Sequence, residues 1–515
     1  MNGKKLIPPH TEKNFIINIS GQVITLLVIL FTIPEIIKQI GVERFGILTI
    51  IFVVLEYLGI ASIGITRGMI KSISEKLGHK VAEKIGQEIA EITWTSLFIV
   101  LCTSVLLGVI LASVSSFLTK IFNIPPSIYA ESQKAFFISS LVLITNSLIV
   151  VLSGVIESHQ RFDIVNFLGV PNTVLNFIVI AIVSHFSKNI DHLITFIAIK
   201  NFVMLCIYFI SAVKFIPKTK IIINTKNAKE ILTQSGWITS VFILSVILSR
   251  IDRIVLGITR SPEFIGYYTP PSEIILRLQF VPVSIYITLF PVFSYIGLEN
   301  KEKLKEIFVK YSVYLATLSM LISYILFCAG YEVLYFWLGK DFADEGKNIL
   351  KILSLFFFLN SQTYIYLTLL QSLGKADNIV KLYIVETPFL TLFVWIMARE
   401  FGSEGVAISL VVRGIFENLI LFFISSKVTG YKISFKAEKT KMKKLIPFVF
   451  ALLFCSLAQI VEGKLDYKIK MLEVFAGFIT LVIFLFIFVL EDNEKKRIIK
   501  EVRKLMGKNK VKQGR

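Results

Sequence analysis

The sequence predicts an all-α polytopic membrane protein. It would have about 14 transmembrane helices: two pseudo-symmetric six-helix lobes around a central cavity, plus two extra C-terminal helices. Three observations predict this. Apolar runs of about 20 residues, enough to cross a ~30 Å hydrocarbon core, recur along all 515 residues, with only 18% charged residues and a mean hydropathy of +0.73. Lys and Arg sort to alternate loops. Short motifs recur at offsets of 215 and 220 residues. Strands are a poor alternative, because barrel strands alternate polar and apolar residues over about 10 positions and these runs do not.

In order, the predicted spans are 14–38, 45–66, 92–117, 134–156, 163–186, 192–213, 231–257, 272–296, 311–338, 349–372, 379–398, 404–426, 445–461 and 470–490. The first is too long for a secretory leader and lacks a small-residue cleavage site. Loops assigned to one side carry 36 Lys and Arg and those on the other carry 12. The positive-inside rule makes the basic side cytoplasmic, so both termini lie inside. The net charge of +19 is then a topology signal with contacts to anionic lipid head groups, rather than a nucleic-acid surface. No loop is large enough for a soluble domain.

The resulting divisions are an N-terminal lobe (1–213, spans 1–6), a cytoplasmic linker (214–230), a C-terminal lobe (231–426, spans 7–12), a second linker (427–444), spans 13–14 (445–490) and a basic tail (491–515). Glu43-Arg-Phe-Gly46-Ile-Leu-Thr49 before span two and Glu263-Phe-Ile-Gly266-Tyr-Tyr-Thr269 before span eight share E-x-x-G-x-x-T at an offset of 220; Asp163-Ile-Val-Asn166 and Asn378-Ile-Val-Lys381 match at 215. Spans one and seven both start inside, so the halves are parallel repeats about an axis along the membrane normal.

The four cysteines form no CxxC or Cys/His grouping and read as buried small apolar residues. The five histidines show no metal-ligand spacing. With residues at span ends counted in the loops, seven of the 55 basic residues are left to the spans: Arg67, Lys200, Arg250, Arg253, Arg277, Lys351 and Arg413. Lys351 can snorkel. Charge facing lipid costs about 2.5–3.5 kcal/mol per residue, so the others should face a polar cavity or one another. Four acids accompany them well inside spans, Glu56, Asp252, Glu386 and Glu417, while Glu35, Glu157, Glu273 and Glu332 read as interfacial. The surplus of about two positive charges equals the charge of a diphosphate.

The chain resembles the bacterial polysaccharide (O-antigen type) flippases of the multidrug/oligosaccharidyl-lipid/polysaccharide exporter superfamily. The resemblance rests on Asn14, Asn18 and Pro34 in span one, Phe45-Gly46 entering span two, and Gly59-Ile60 followed by Arg67 leaving it. It rests also on Arg250-Ile-Asp252-Arg253 through Gly257, followed by Gly266-Tyr267-Tyr268, and on the span layout of the whole chain. One departure is Glu56-Tyr57-Leu58-Gly59, where such proteins often carry Asp before the Leu-Gly pair. The resemblance implies export of a lipid-linked sugar across the inner membrane by alternating access.

An undecaprenyl-diphosphate-linked oligosaccharide gives these charges roles. Arg250, Arg253 and Arg277 would hold the diphosphate or acidic sugars in the outward-facing half, since guanidinium matches phosphate oxygens bidentately. Arg67 would contact the head group from the cytoplasmic level of the same cavity, and Lys200 and Arg413 are further substrate-binding candidates. Glu56, Asp252 and Glu417 are candidates for coupling to H+ or Na+. Several have a structural alternative: Arg413 and Glu417 are i, i+4 and could satisfy each other, Asp252 could pair with an Arg of a neighbouring span, Arg67 could only set topology, and Lys200 could snorkel. Tyr267 and Tyr268 read as an interfacial aromatic belt.

No phosphate loop of the G-x-x-x-x-G-K-[ST] type is present, so transport would be secondary, with no cofactor and no enzymatic step. Partners would be the lipid-linked oligosaccharide, membrane lipids and polysaccharide polymerase or assembly proteins, with no nucleic acid. Rival readings are a peptidoglycan lipid-precursor flippase, a multidrug/cation antiporter of the same superfamily, a membrane-embedded glycosyltransferase and a non-transporting scaffold.

Overall fold

The computed structural model describes residues 11–78, 85–217, 222–224 and 236–429, with 475, 477 and 479. Predicted span 13, all but 475, 477 and 479 of span 14, the basic tail, Cys455 and most of both linkers lie outside the described residues. Within them every regular element is a helix, as lipid requires, since only a helix satisfies its own backbone without water.

The first lobe comprises α1 (Thr11–Ile40), α2 (Val42–Gly78), α3 (Ile85–Ser113), α4 (Ser115–Ile121), α5 (Tyr129–Ser158), α6 (Phe162–Phe186) and α7 (Ile190–Val213). The second comprises α8 (Gly236–Thr259), α9 (Pro262–Leu278), α10 (Phe280–Ile296), α11 (Lys301–Cys328), α12 (Gly330–Leu338), α13 (Lys340–Ser372) and α14 (Ala376–Thr429). Nine of the described helices are long and apolar enough to cross a membrane, α9–α10 counting as one and α14 as one. Each of the first twelve predicted spans falls on described helices, the first on α1 and the seventh, from Gly236 onward, on α8, neither of which is among those nine.

α14 is two spans. At Gly402 the backbone takes φ +60°, a conformation open to glycine and strained for other residues. Beyond it the chain runs back, pairing Glu386 with Arg413 and Tyr383 with Glu417. Large apolar side chains such as Phe31, Phe167, Phe186 and Phe389 point outward. Buried hydroxyls mostly bond to their own helix, as Thr66 does to the Ser62 carbonyl and Ser319 to that of Leu315, so they enter the packing without needing a partner on another helix.

Three sequence expectations change. Residues 262–271 were expected in a loop but are the first turns of α9, with Pro262 at the N-terminal position, where a missing N–H costs nothing. The span breaks later, at Gln279, and Pro282 sits in the first turn of α10. Tyr268 is therefore fully buried rather than part of an interfacial belt, and Tyr267 packs against Phe342 at 4.9 Å. Cys102 and Cys206 are exposed on the apolar surface; Cys328 is buried as expected.

The two lobes meet through a crossing of α2 and α9 built from the repeated motif. A Cβ at Gly46 would lie 1.9 Å from the Pro262 carbonyl oxygen, and one at Gly266 would lie 2.4 Å from that of Val42. Gly46 and Gly266 are equivalent in the repeat, as are Val42 and Pro262, so the contact is reciprocal about a local twofold axis. On the same side Asn123 donates to the Ile258 carbonyl at 2.9 Å and Trp337 to that of Leu30 at 2.8 Å. Apart from Leu30, which lies deeper in α1, these residues lie at or near ends of spans assigned to the non-cytoplasmic side, where the lobes are closed together.

Candidate functional site

Between the lobes lies a cavity of about 280 Å³, walled by α1, α2, α5, α6 and α7 on one side and by α8 and α9 on the other. Arg250 and Arg253, three residues apart on α8, share a helix face. Glu273 and Arg277 are i, i+4 on α9, so their side chains meet. All four line the cavity, together with Glu56 from α2.

Glu273 is the hub. Its Oε1 accepts from Arg253 Nη2 at 2.9 Å and lies 3.8 Å from Arg250 Nη1; its Oε2 accepts from Arg277 Nη2 at 3.3 Å. Arg253 also donates to Ser272 Oγ at 2.8 Å and is almost wholly buried. Arg250 reaches across the cavity to the other lobe, its Nε 2.6 Å from Glu56 Oε2 and its Nη2 3.1 Å from Oε1. Arg277 is the loosest of the three, 27% exposed. Three guanidinium groups thus face two carboxylates. The buried Arg250 Nη1 and Arg277 Nε have no hydrogen-bond acceptor, and a buried donor left unpaired is costly. The cavity wall therefore offers surplus positive charge and free donors to an anion.

Apart from Glu56, which is tied to Arg250, the opposite wall is neutral. Asn146 of α5, Asn176 of α6 and Asn201 of α7 line it, with Thr173 between them. Asn201 is buried, and Asn176 Oδ1 has no hydrogen-bond partner.

The remaining predicted site residues lie elsewhere. Asp252, next to Arg253 in sequence, points away from the cavity and accepts from Tyr268 Oη at 2.6 Å, so its partner is a phenol of α9 rather than an Arg of a neighbouring span. Arg413 pairs with Glu386 at 2.6 Å and with Glu417 at 3.4 Å. It also donates to the Leu248 carbonyl, while Tyr383 donates to Glu417 at 3.0 Å. This second charged group lies within the second lobe, beneath an apolar groove between the two halves of α14, and does not line the central cavity. Lys200 is buried and donates to Asn172 Oδ1 at 2.9 Å, so it does not snorkel to an interface.

Arg67 is bound to Glu157 at 2.8 Å and lies over the Phe242 ring at 5.7 Å, a cation–π contact between the lobes. It does not line the enclosed cavity with Arg277. Arg277 itself lies well inside α9–α10 rather than near its outer entrance.

Glu273 and the three asparagines were missed by sequence reasoning. Glu273 read as interfacial because the apolar run seemed to begin at Ser272; its i, i+4 spacing to Arg277 was the available signal. Nothing in the sequence singles out Asn146, Asn176 and Asn201, which lie on three different helices.

Comparison with known proteins adds a family and a fold. The family model described as "Polysaccharide biosynthesis protein" matches residues 38–347. A Shigella flexneri protein named "Putative O-antigen transporter" is 25% identical over 434 residues, 81% of this chain and 98% of its own length. The fold is similar to that of an inward-facing multidrug resistance MATE family transporter of the MOP superfamily, with TM-score 0.68, 14% identity and 81% of this chain and 100% of that one covered. It is similar also to that of the lipid II flippase MurJ in an inward closed conformation, with TM-score 0.66, 14% identity and 93% and 99% covered.

Proposed function

The chain belongs to the polysaccharide biosynthesis protein family, and from that premise we propose that it is a flippase for an undecaprenyl-diphosphate-linked oligosaccharide. It would move this lipid between the leaflets of the bacterial inner membrane by alternating access, with both termini cytoplasmic as the Lys and Arg bias requires. The observation that supports this reading most is the central cavity, in which three guanidinium groups outnumber two carboxylates. That surplus suits a diphosphate and repels a cationic drug.

Arg250 is the pivotal residue. At rest it is shared between Glu56 of one lobe and Glu273 of the other. A diphosphate entering the cavity competes with Glu56 for Arg250 and takes up the free donors of Arg250 and Arg277. The inter-lobe tie is then exchanged for a ligand bridge, so the bound head group alters the balance between the two arrangements of the lobes. The polyprenyl tail stays in lipid throughout. Glu56, Asp252 and Glu417 are the acids through which an H+ or Na+ gradient would act, and net charge moved would respond to the membrane potential. The chain makes and breaks no covalent bond; polymerase and assembly proteins would act on its product.

Deletion of the gene tests the reading. Lipid-linked oligosaccharide should accumulate in the inner leaflet while surface polysaccharide disappears. Accumulation of the peptidoglycan lipid precursor instead would assign the chain to that substrate. Intact surface polysaccharide with raised drug sensitivity would overturn the reading in favour of drug export.

A further inference from the structure

We infer that the central cavity divides recognition between its walls. The α8–α9 wall takes the diphosphate, and the amide wall of Asn146, Asn176 and Asn201 takes the sugar ring attached to it. The inference rests on the flippase reading above and adds what the neutral wall does. Each of these asparagines lines the cavity, and no side-chain hydrogen bond joins any of them to a described residue. Asn201 is only 4% exposed, and Asn176 Oδ1 is buried without a donor. The buried Asn176 oxygen is costly to leave unpaired unless something pairs it, and Asn146 is exposed and free to bond.

The chemistry of that wall identifies its ligand class. A carboxamide offers two donors and an acceptor with two lone pairs, matching ring hydroxyls, which donate and accept, and an acetamido substituent. The three amides carry no formal charge and the carboxylate on their side, Glu56, would repel an anion, so this side suits an uncharged sugar rather than a second phosphate. A diphosphate against Arg250, Arg253 and Arg277 places the ring bonded to it next to the asparagines across the cavity. The asparagines would therefore select for the phosphate-linked sugar.

Equilibrium binding to the purified full-length protein in detergent micelles tests this with two lipids: polyprenyl diphosphate without sugar, and the same lipid bearing one N-acetylhexosamine. Asn146→Ala, Asn176→Leu and Asn201→Leu should each weaken binding of the sugar-bearing lipid about 10-fold, as loss of a hydrogen bond to ligand predicts. They should leave binding of the sugarless lipid within about 2-fold, which also shows that the variants are folded. Arg277→Ala should weaken both lipids alike. Equal loss of both lipids in the asparagine variants, or no loss of either, overturns the division while leaving the diphosphate site standing. Failure of the wild-type protein to bind either lipid overturns the site itself.

Discussion

Arg253 and Arg277 contact the same carboxylate, yet their surroundings assign them different tasks. Arg253 is 4% exposed and satisfied by Glu273 and Ser272. Removing it takes from buried Glu273 the nearest of its three arginines, at a cost of up to about 3–5 kcal/mol. Arg277 is more accessible and holds Glu273 at the longer distance of 3.3 Å with its Nε unpaired; its loss leaves Glu273 with Arg253 and Arg250 and costs about 1 kcal/mol. Arg253→Ala should therefore lower the thermal unfolding midpoint markedly. Arg277→Ala should leave it nearly unchanged while weakening polyprenyl diphosphate binding about 10- to 100-fold, the value of a charge-assisted hydrogen bond. Glu56 competes with the ligand for Arg250. Glu56→Gln keeps the shape and removes the charge, so affinity for polyprenyl diphosphate should rise about 3- to 5-fold, measured by equilibrium binding. Unchanged affinity would mean that Arg250 does not meet the diphosphate.

Among the elements, the α2–α9 crossing is the least tolerant. The neighbours of Gly46 and Gly266 are backbone carbonyls, which cannot turn aside as a side chain can. Even a methyl group must force the helices apart. Gly46→Ala and Gly266→Ala should both hold the outer end open and abolish transport. A cysteine placed in the cavity by Asn146→Cys, in a chain without its native cysteines, would then react with a membrane-impermeant maleimide from outside. Gly59→Ala is the control, because a Cβ there meets nothing within 4 Å. The same crossing shows how the repeat works: two weakly similar motifs, related by 220 residues, supply matching halves of one contact.

At the scale of the molecule, the closed end, assigned to the outer side by the Lys and Arg bias, and the charged cavity would belong to one cycle. Asn123 of the first lobe and Ile258 of the second are joined there by a hydrogen bond. A short bifunctional reagent should cross-link Asn123→Cys to Ile258→Cys in resting protein, and the yield should fall when the lipid-linked oligosaccharide is added. Transport should stop once the link is made. Full transport by the linked protein would show that the lobes need not part at this end.

The sequence by itself determined the fold class, the positions of the first twelve spans within several residues and the repeat, because a bilayer permits few structures and enforces them through composition. It also marked Arg250, Arg253 and Arg277, since charge within an apolar run needs a polar neighbour. What it misplaced was Glu273 and Tyr268: Pro270 and Pro271 imitate a loop, although α9 passes through both. Only the tertiary structure decided which charges share a cavity and which satisfy one another within a lobe. That choice depends on how each helix is rotated in the bundle, so Asp252 turns toward Tyr268 while Arg253, one residue on, turns toward Glu273. Asn146, Asn176 and Asn201 converge for the same reason, through the packing of three helices whose sequences carry no sign of one another.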